Sequence, residues 1–253
     1  MRRSALLPAS SRCTNALTLL ELLVVIGIIG ILAAMLLPAL SRAKANGKLA
    51  ACLNNLKQIA HGVHMYANDF GDILFPITNR SSYPPSVALY EWTAYDQFMR
   101  SYIGLKGAPS PQDKPFACPA DTFYYDEPRN DPARLISQSM HLQSNFSYSS
   151  YAFNAGNAVF ATHNPPILGV YPGIMGRKLS SIGIPAKTVL VAEFPALNHY
   201  SWHQPSPPGK QFYNNAPNML SFVDGHVSYV KIYLFAPPNG IPPAGYDYKW
   251  SGD

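Results

Sequence analysis

Charge is scarce in this chain. Only 13% of its 253 residues are Asp, Glu, Lys or Arg, while 47% are hydrophobic. That excludes the low-hydrophobicity, high-charge composition of a disordered chain. The net charge is +5, and Arg2, Arg3 and Arg12 precede the first apolar run; subtracting those three leaves +2. No basic stripe with interleaved aromatics follows, so no nucleic-acid partner is expected. Cysteine is nearly absent, with only Cys13, Cys52 and Cys118. No Cys-x-x-Cys pair or His/Cys cluster marks a zinc site, and neither metal nor cofactor is expected. Gly-x-Ser-x-Gly, His-Glu-x-x-His and P-loop patterns are missing too, which argues against an enzyme. Proline (24) and tyrosine (16) are plentiful, as in a loop-rich globular domain with β content.

The chain is organised around residues 17–40, LTLLELLVVIGIIGILAAMLLPAL, whose one charge is Glu21. As a helix this run is about 36 Å long, enough to cross a bilayer. A carboxylate in hydrocarbon costs roughly 2.5–3.5 kcal/mol, so Glu21 needs a partner. Residues 1–16, MRRSALLPASSRCTNA, are basic and free of acids, the pattern of a cytoplasmic n-region. The apolar run continues past Ala33-Ala34, so a secretory signal cleaved there fits poorly. A single-pass protein is predicted, with about 210 residues beyond the membrane, enough for one core. In that compartment Cys52 and Cys118 either pair as a disulfide or remain two partly buried thiols.

Ala16-Leu17-Thr18-Leu19-Leu20-Glu21 resembles the processing site of type IV prepilins and type II secretion pseudopilins. That site is a small residue, an apolar residue, then Thr-Leu-x-Glu. Ala16 stands where Gly is usual, and Leu17 where Phe is usual. The resemblance implies cleavage between Ala16 and Leu17 by a prepilin peptidase, followed by N-methylation of Leu17. It implies a bacterial inner-membrane location before assembly, with the globular domain periplasmic or otherwise extracytoplasmic. The other partners implied are membrane lipid, fellow pilin or pseudopilin subunits, and the secretion or pilus machinery. It also supplies a partner for Glu21, the new amine of a neighbouring subunit. The chain's own Leu17 amine is four residues away on one helical face and could serve instead. Either pair relieves the desolvation of the carboxylate. Gly27 and Gly30 either permit close helix–helix approach or have no role.

Beyond Pro38 the pattern turns amphipathic. Leu49, Leu53, Leu56, Ala60, Val63, Ala67 and Phe70 recur at alternating spacings of four and three, and Cys52, Ile59 and Tyr66 widen the stripe. Gly71 is the expected C-cap. His61 and His64 are expected at or near the surface rather than on a metal. Residues 87–103 are expected to be partly helical, with Trp92, Phe98, Tyr102 and Ile103 in the core. Residues 147–154 and 188–193 read as strands. Glu193 ends the second, as either a catalytic or a hydrogen-bonded structural carboxylate. His199, Trp202, His203 and residues 204–210 are expected in an exposed loop, and 237–253 as a loosely packed tail. Asp121, Asp126, Glu127 and Asp131 form either an oxygen-ligand set for calcium or a solvated loop.

Residues 219–232, MLSFVDGHVSYVKI, predict a hairpin, with Asp224-Gly225 suited to a type I′ turn. Together with Cys118-Pro119-Ala120-Asp121 and residues 52–59, this segment resembles a pseudopilin branch with a C-terminal pattern of His, nine residues, then Asp-Gly. Here the histidine's place is taken by Asn214, while Asp224, Gly225 and His226 match. The fold expected is α+β and pilin-like: a long N-terminal helix, half transmembrane and half amphipathic, on an antiparallel sheet with loop-rich insertions. The segments are a leader (1–16), a transmembrane and filament-core helix (17–40), its amphipathic continuation (41–71) and a globular domain (72–253). The function expected is a structural filament subunit of a type II secretion or type IV pilus-like system. The alternative is a membrane-tethered module binding polysaccharide through its exposed aromatics.

Overall fold

A computed structural model describes residues 18–76, 92–126, 134–156, 173–233 and 241–253. It divides into two compact units, 1–44 and 45–253. Helix α1 runs Leu19–Asp69 with Pro38 inside it. Within the first unit every described residue is exposed, including Leu22, Ile26, Ile29, Leu36 and Leu40. The helix is long and apolar enough to cross a membrane by length and composition.

In the second unit α1 changes character. Cys52, Leu56, Ile59, Ala60, Gly62, Val63, Tyr66 and Ala67 are buried, one face of the helix as the spacing predicts. Phe70 departs from the stripe. It lies beyond the last helical residue, 55% exposed, and stacks on Tyr66 at 4.4 Å. Gly71 takes φ +68°, and the Asp72 amide donates to the Ala67 carbonyl at 2.7 Å. That is the six-to-one bond of a Schellman ending.

The chain forms α2 (Asp96–Met99), continued by a 3₁₀ turn over Arg100–Ile103. Residues 87–91 of the expected helix lie outside the described residues. Tyr95 and Met99 are the buried members here, while Trp92, Phe98, Tyr102 and Ile103 pack on the core from partly buried positions. Strands β1 (Tyr124–Asp126) and β2 (Arg134–Ile136) form a small antiparallel pair.

The main sheet is antiparallel, in the order β3 (Tyr151–Phe153), β4 (Val189–Glu193), β5 (Ala216–Phe222), β6 (Val227–Ile232). Strand β3 is shorter than the sequence pattern predicts, because Ser147 and Tyr148 adopt positive φ and turn the chain. Strands β4 and β5 are buried throughout, so both sheet faces are covered. Leu190, Val191 and Met219 join α1 in one apolar cluster. Val189, Ala192, Leu220 and Phe222 join a second cluster with Tyr248 and Trp250. Residues 248–251 are therefore no loose tail. The Val189 amide donates to the Lys249 carbonyl at 3.0 Å, and Asn154 Nδ2 donates to the Trp250 carbonyl at 2.8 Å. An α+β fold with a long N-terminal helix and an antiparallel sheet is thus what the chain adopts.

The β5–β6 turn corrects a second expectation. A type I′ turn needs positive φ at both Asp224 and Gly225, but only Gly225 has it, at +92°. The Gly225 amide donates to the Phe222 carbonyl and the Phe222 amide to the His226 carbonyl, both at 2.9 Å. This is a three-residue loop, a tight turn followed by a left-handed glycine. Asp224 Oδ1 accepts from the His226 amide at 3.1 Å, which favours the ordinary turn conformation at Asp224. Gly225→Ala forces a Cβ into the left-handed region and should cost about 1–2 kcal/mol, read as a lower denaturation midpoint of the full chain in detergent.

Candidate functional site

Two sets of side chains stand out. The first is at the start of α1. Thr18 precedes the first helical residue, and its Oγ1 accepts from the Glu21 amide at 3.3 Å. In return Glu21 Oε2 accepts from the Thr18 amide and the Thr18 hydroxyl, both at 2.9 Å. This reciprocal pattern is a capping box, Thr at the cap and Glu three residues on. It satisfies amides that the first helical turn would otherwise leave bare. The Thr18-x-x-Glu21 spacing in the sequence is the local signal of this cap. Ala16 and Leu17, the expected cleavage pair, lie outside the described residues.

The second set lies inside the globular unit. Cys52 of α1 and Cys118 are joined in a disulfide across 66 residues of sequence. Glu193, fully buried at the end of β4, sits beside it. Its Oε1 lies 2.7 Å from His203 Nε2 and 3.4 Å from Cys118 Sγ, while Oε2 accepts from the Met219 amide at 2.9 Å. His203 Nε2 is also 3.9 Å from Cys118 Sγ. The His203 side chain is 4% exposed, so the loop expected to be exposed is not so at this point. Trp202 is buried as well, its Nε1 donating to the Phe123 carbonyl at 2.6 Å. Burial pushes the His199 imidazole down to about 4. Only residues 204–210 of that loop fit the expectation, being mostly exposed.

Asp121 positions Cys118. Its carboxylate accepts from Ser139 Oγ, the Met140 and His141 amides and Ser150 Oγ, at 2.7–3.1 Å. Ser150 Oγ in turn accepts from the Cys118 amide at 3.0 Å. Burial raises the Asp121 carboxyl above its ordinary range, and these four donors oppose that rise. With its lone pairs so engaged, Asp121 is a structural carboxylate and a poor calcium ligand. Asp126 lies in β1, and Glu127 and Asp131 fall outside the described residues.

The hairpin residues form their own unit. Asp224 Oδ1 meets His226 Nδ1 at 2.6 Å, and the His226 ring stacks on Phe222 at 4.3 Å. Of the residues singled out from sequence, then, Cys52 meets Cys118 and Asp224 meets His226. Glu193 was singled out as an isolated carboxylate, and its junction with His203 and the disulfide was missed. The four come from separate segments, and no local spacing announces their meeting.

The prokaryotic N-terminal methylation motif matches residues 11–37. The chain is therefore prepilin-like at its N-terminus, with the capping-box Glu21 inside the matched segment. No curated protein and no solved structure matches the chain.

The disulfide closes a long loop, so it restricts the unfolded chain strongly. Reducing it in the presence of a metal chelator should lower stability by about 4 kcal/mol on the loop-entropy estimate. Denaturant titration of the oxidised and reduced full chain measures this. Equal midpoints would show that the cross-link carries no stability.

Proposed function

We propose that this protein is a structural subunit of a pilin-like filament, cleaved before Leu17 and N-methylated there. The reading rests on the methylation motif joined to an apolar helix that no described residue of its own unit covers. Exposing a Leu or Ile side chain rather than burying it costs about 1.5–3 kcal/mol. A helix whose large apolar side chains are exposed from Leu19 through Leu40 therefore demands an apolar surround. Before assembly lipid supplies it; afterwards neighbouring copies of the same helix do. The proline-rich, turn-rich remainder of the chain then forms a globular domain carried by that helix. The resemblance of the Cys118–Asp121 and Asp224–His226 segments favours the pseudopilin label within a type II secretion or type IV pilus-like system.

The capping box adds a step to this account. While the subunit waits in the membrane, Thr18 occupies Glu21 Oε2. On assembly, the charged amine created at Leu17 of an adjacent subunit offers the carboxylate a stronger, charge-assisted partner. Glu21 thus serves the helix start first and the subunit contact second.

Mass spectrometry of the native N-terminus tests the processing: a methylated Leu17 is expected. An intact Met1, or a start near Ala34, would overturn the reading. Two substitutions separate the roles of Glu21. Glu21→Gln retains an acceptor for the capping box but loses the charge, whereas Glu21→Ala loses both. Both should insert in the membrane and fail to enter filaments in a pull-down of assembled subunits. Normal incorporation of Glu21→Gln would assign Glu21 to the cap alone.

A further inference from the structure

Cys52 Sγ, Cys118 Sγ, a Glu193 carboxylate oxygen and a His203 ring nitrogen all lie within 4.8 Å of one another. Three of these residues are buried, and the fourth presents a buried side chain. A disulfide needs no carboxylate or imidazole beside it. A buried carboxylate, by contrast, costs several kcal/mol unless its oxygens are matched. Placing Glu193 and His203 against the two sulfurs therefore calls for a reason beyond the cross-link.

A nucleophilic relay does not provide one. In a Cys–His–carboxylate relay the imidazole uses one nitrogen for the sulfur and the other for the carboxylate. Here Nε2 alone faces both Glu193 Oε1, at 2.7 Å, and Cys118 Sγ, at 3.9 Å. The donors converge on a point rather than forming a line, and convergence is the geometry of metal ligation. Zinc bond lengths of about 2.0–2.3 Å put neighbouring tetrahedral donors about 3.3–3.8 Å apart. The Cys118–Glu193 and Cys118–His203 separations, 3.4 and 3.9 Å, lie near that range. The Glu193–His203 edge, at 2.7 Å, is a hydrogen-bond distance shorter than that range, and the S–S edge differs most, being bonded.

Supporting contacts hold the ligands in place. The Met219 amide fixes Glu193 Oε2 at 2.9 Å and leaves Oε1 directed at the cluster. Ser201 Oγ accepts from the His203 amide at 3.1 Å, and Ser150 Oγ accepts from the Cys118 amide at 3.0 Å. Outer hydrogen bonds of this kind orient ligands in structural zinc sites.

We propose that reduction of the Cys52–Cys118 disulfide converts this cluster into a zinc site with Cys52, Cys118, Glu193 and His203 as its four ligands. The fold is then tied at this junction by a disulfide under oxidising conditions and by zinc under reducing ones. A dithiol reductant supplies two electrons and two protons, the S–S bond breaks, and the reductant leaves as its own disulfide. Each cysteine thiol gives its proton to solvent as its thiolate binds Zn²⁺, and the proton between His203 Nε2 and Glu193 Oε1 passes by way of solvent to His203 Nδ1, freeing both atoms for the metal. The sulfurs move apart to about 3.8 Å, and all four positions are filled by protein, as in a closed structural site.

The test uses the full chain in detergent, reduced anaerobically with a phosphine and titrated with Co²⁺. One Co²⁺ per chain is expected, with tetrahedral visible bands and thiolate-to-cobalt charge transfer, all abolished by added Zn²⁺. The oxidised chain should show no such spectrum. His203→Ala and Glu193→Gln should each weaken binding roughly tenfold or more while His61→Ala leaves it unchanged. Absence of the thiolate–cobalt spectrum in the reduced chain overturns the proposal. So does a spectrum indifferent to both ligand substitutions. Circular dichroism covers the remaining case: a reduced chain that unfolds and does not refold with Zn²⁺ also overturns it.

Discussion

The face of α1 that carries Cys52, Leu56, Ile59, Val63 and Tyr66 must be kept from water, and the sheet is the surface that does so. Val189 and Ala192 of β4, with Leu220 and Phe222 of β5, enter one apolar cluster while Leu190, Val191 and Met219 enter the other, so both faces of the sheet are covered. One cover is the helix, and the other is built by Tyr248 and Trp250. Strand β6, at one edge, keeps a mixed exposed and half-buried pattern, whereas β3 at the other edge is buried throughout. At Gly62 a Cβ would approach Met99 and Ile103 to 2.6 and 2.7 Å, so the lack of a side chain there lets α2 and its 3₁₀ extension close on the helix. The disulfide then joins this helical face covalently to the Cys118 loop.

Glu21 shows how a residue can satisfy two demands at different times. Its cost in a bilayer argues for a partner, and the amine made by cleavage is one. The Thr18 capping box is another, formed within the subunit itself. The carboxylate is therefore matched before any filament exists, and the desolvation argument alone does not require assembly. What does require an apolar surround is the helix beyond it, exposed from Leu19 through Leu40. The functional reading rests more firmly on that surface, with the methylation motif, than on the charge.

Local patterns were legible in the sequence because their physics is local. The apolar stripe over 49–67, the Gly71 cap, the strand over 188–193 and the β5–β6 hairpin each follow from spacing or turn chemistry within a few residues. The turn type was misjudged because Asp-Gly fits two geometries, and the Asp224 bond to the His226 amide selects between them. The buried residues 248–251 were misjudged for a different reason. The prolines and glycines at 237–245 read as a loose tail, while the burial of Tyr248 and Trp250 depends on an apolar sheet face more than a dozen residues away in sequence. His203 was misplaced likewise: its neighbours 204–210 are solvated, but its own ring is held by Glu193.

The Cys118-Pro119-Ala120-Asp121 element illustrates how such non-local chemistry is prepared. Asp121 accepts four hydrogen bonds, two from the 3₁₀ turn Met140–Leu142 and two from serines. One of those serines, Ser150, also holds the Cys118 amide and, through its own backbone carbonyl, the amide of Phe194, next to Glu193. Asp121 thus fixes the frame in which sulfur and carboxylate face each other, without touching either. A carboxylate buried against its own desolvation is worth keeping only where it holds several segments in register, and here it holds three. The cysteine, the aspartate and the strand-end glutamate are therefore parts of one device, assembled from segments whose sequence separation hides it.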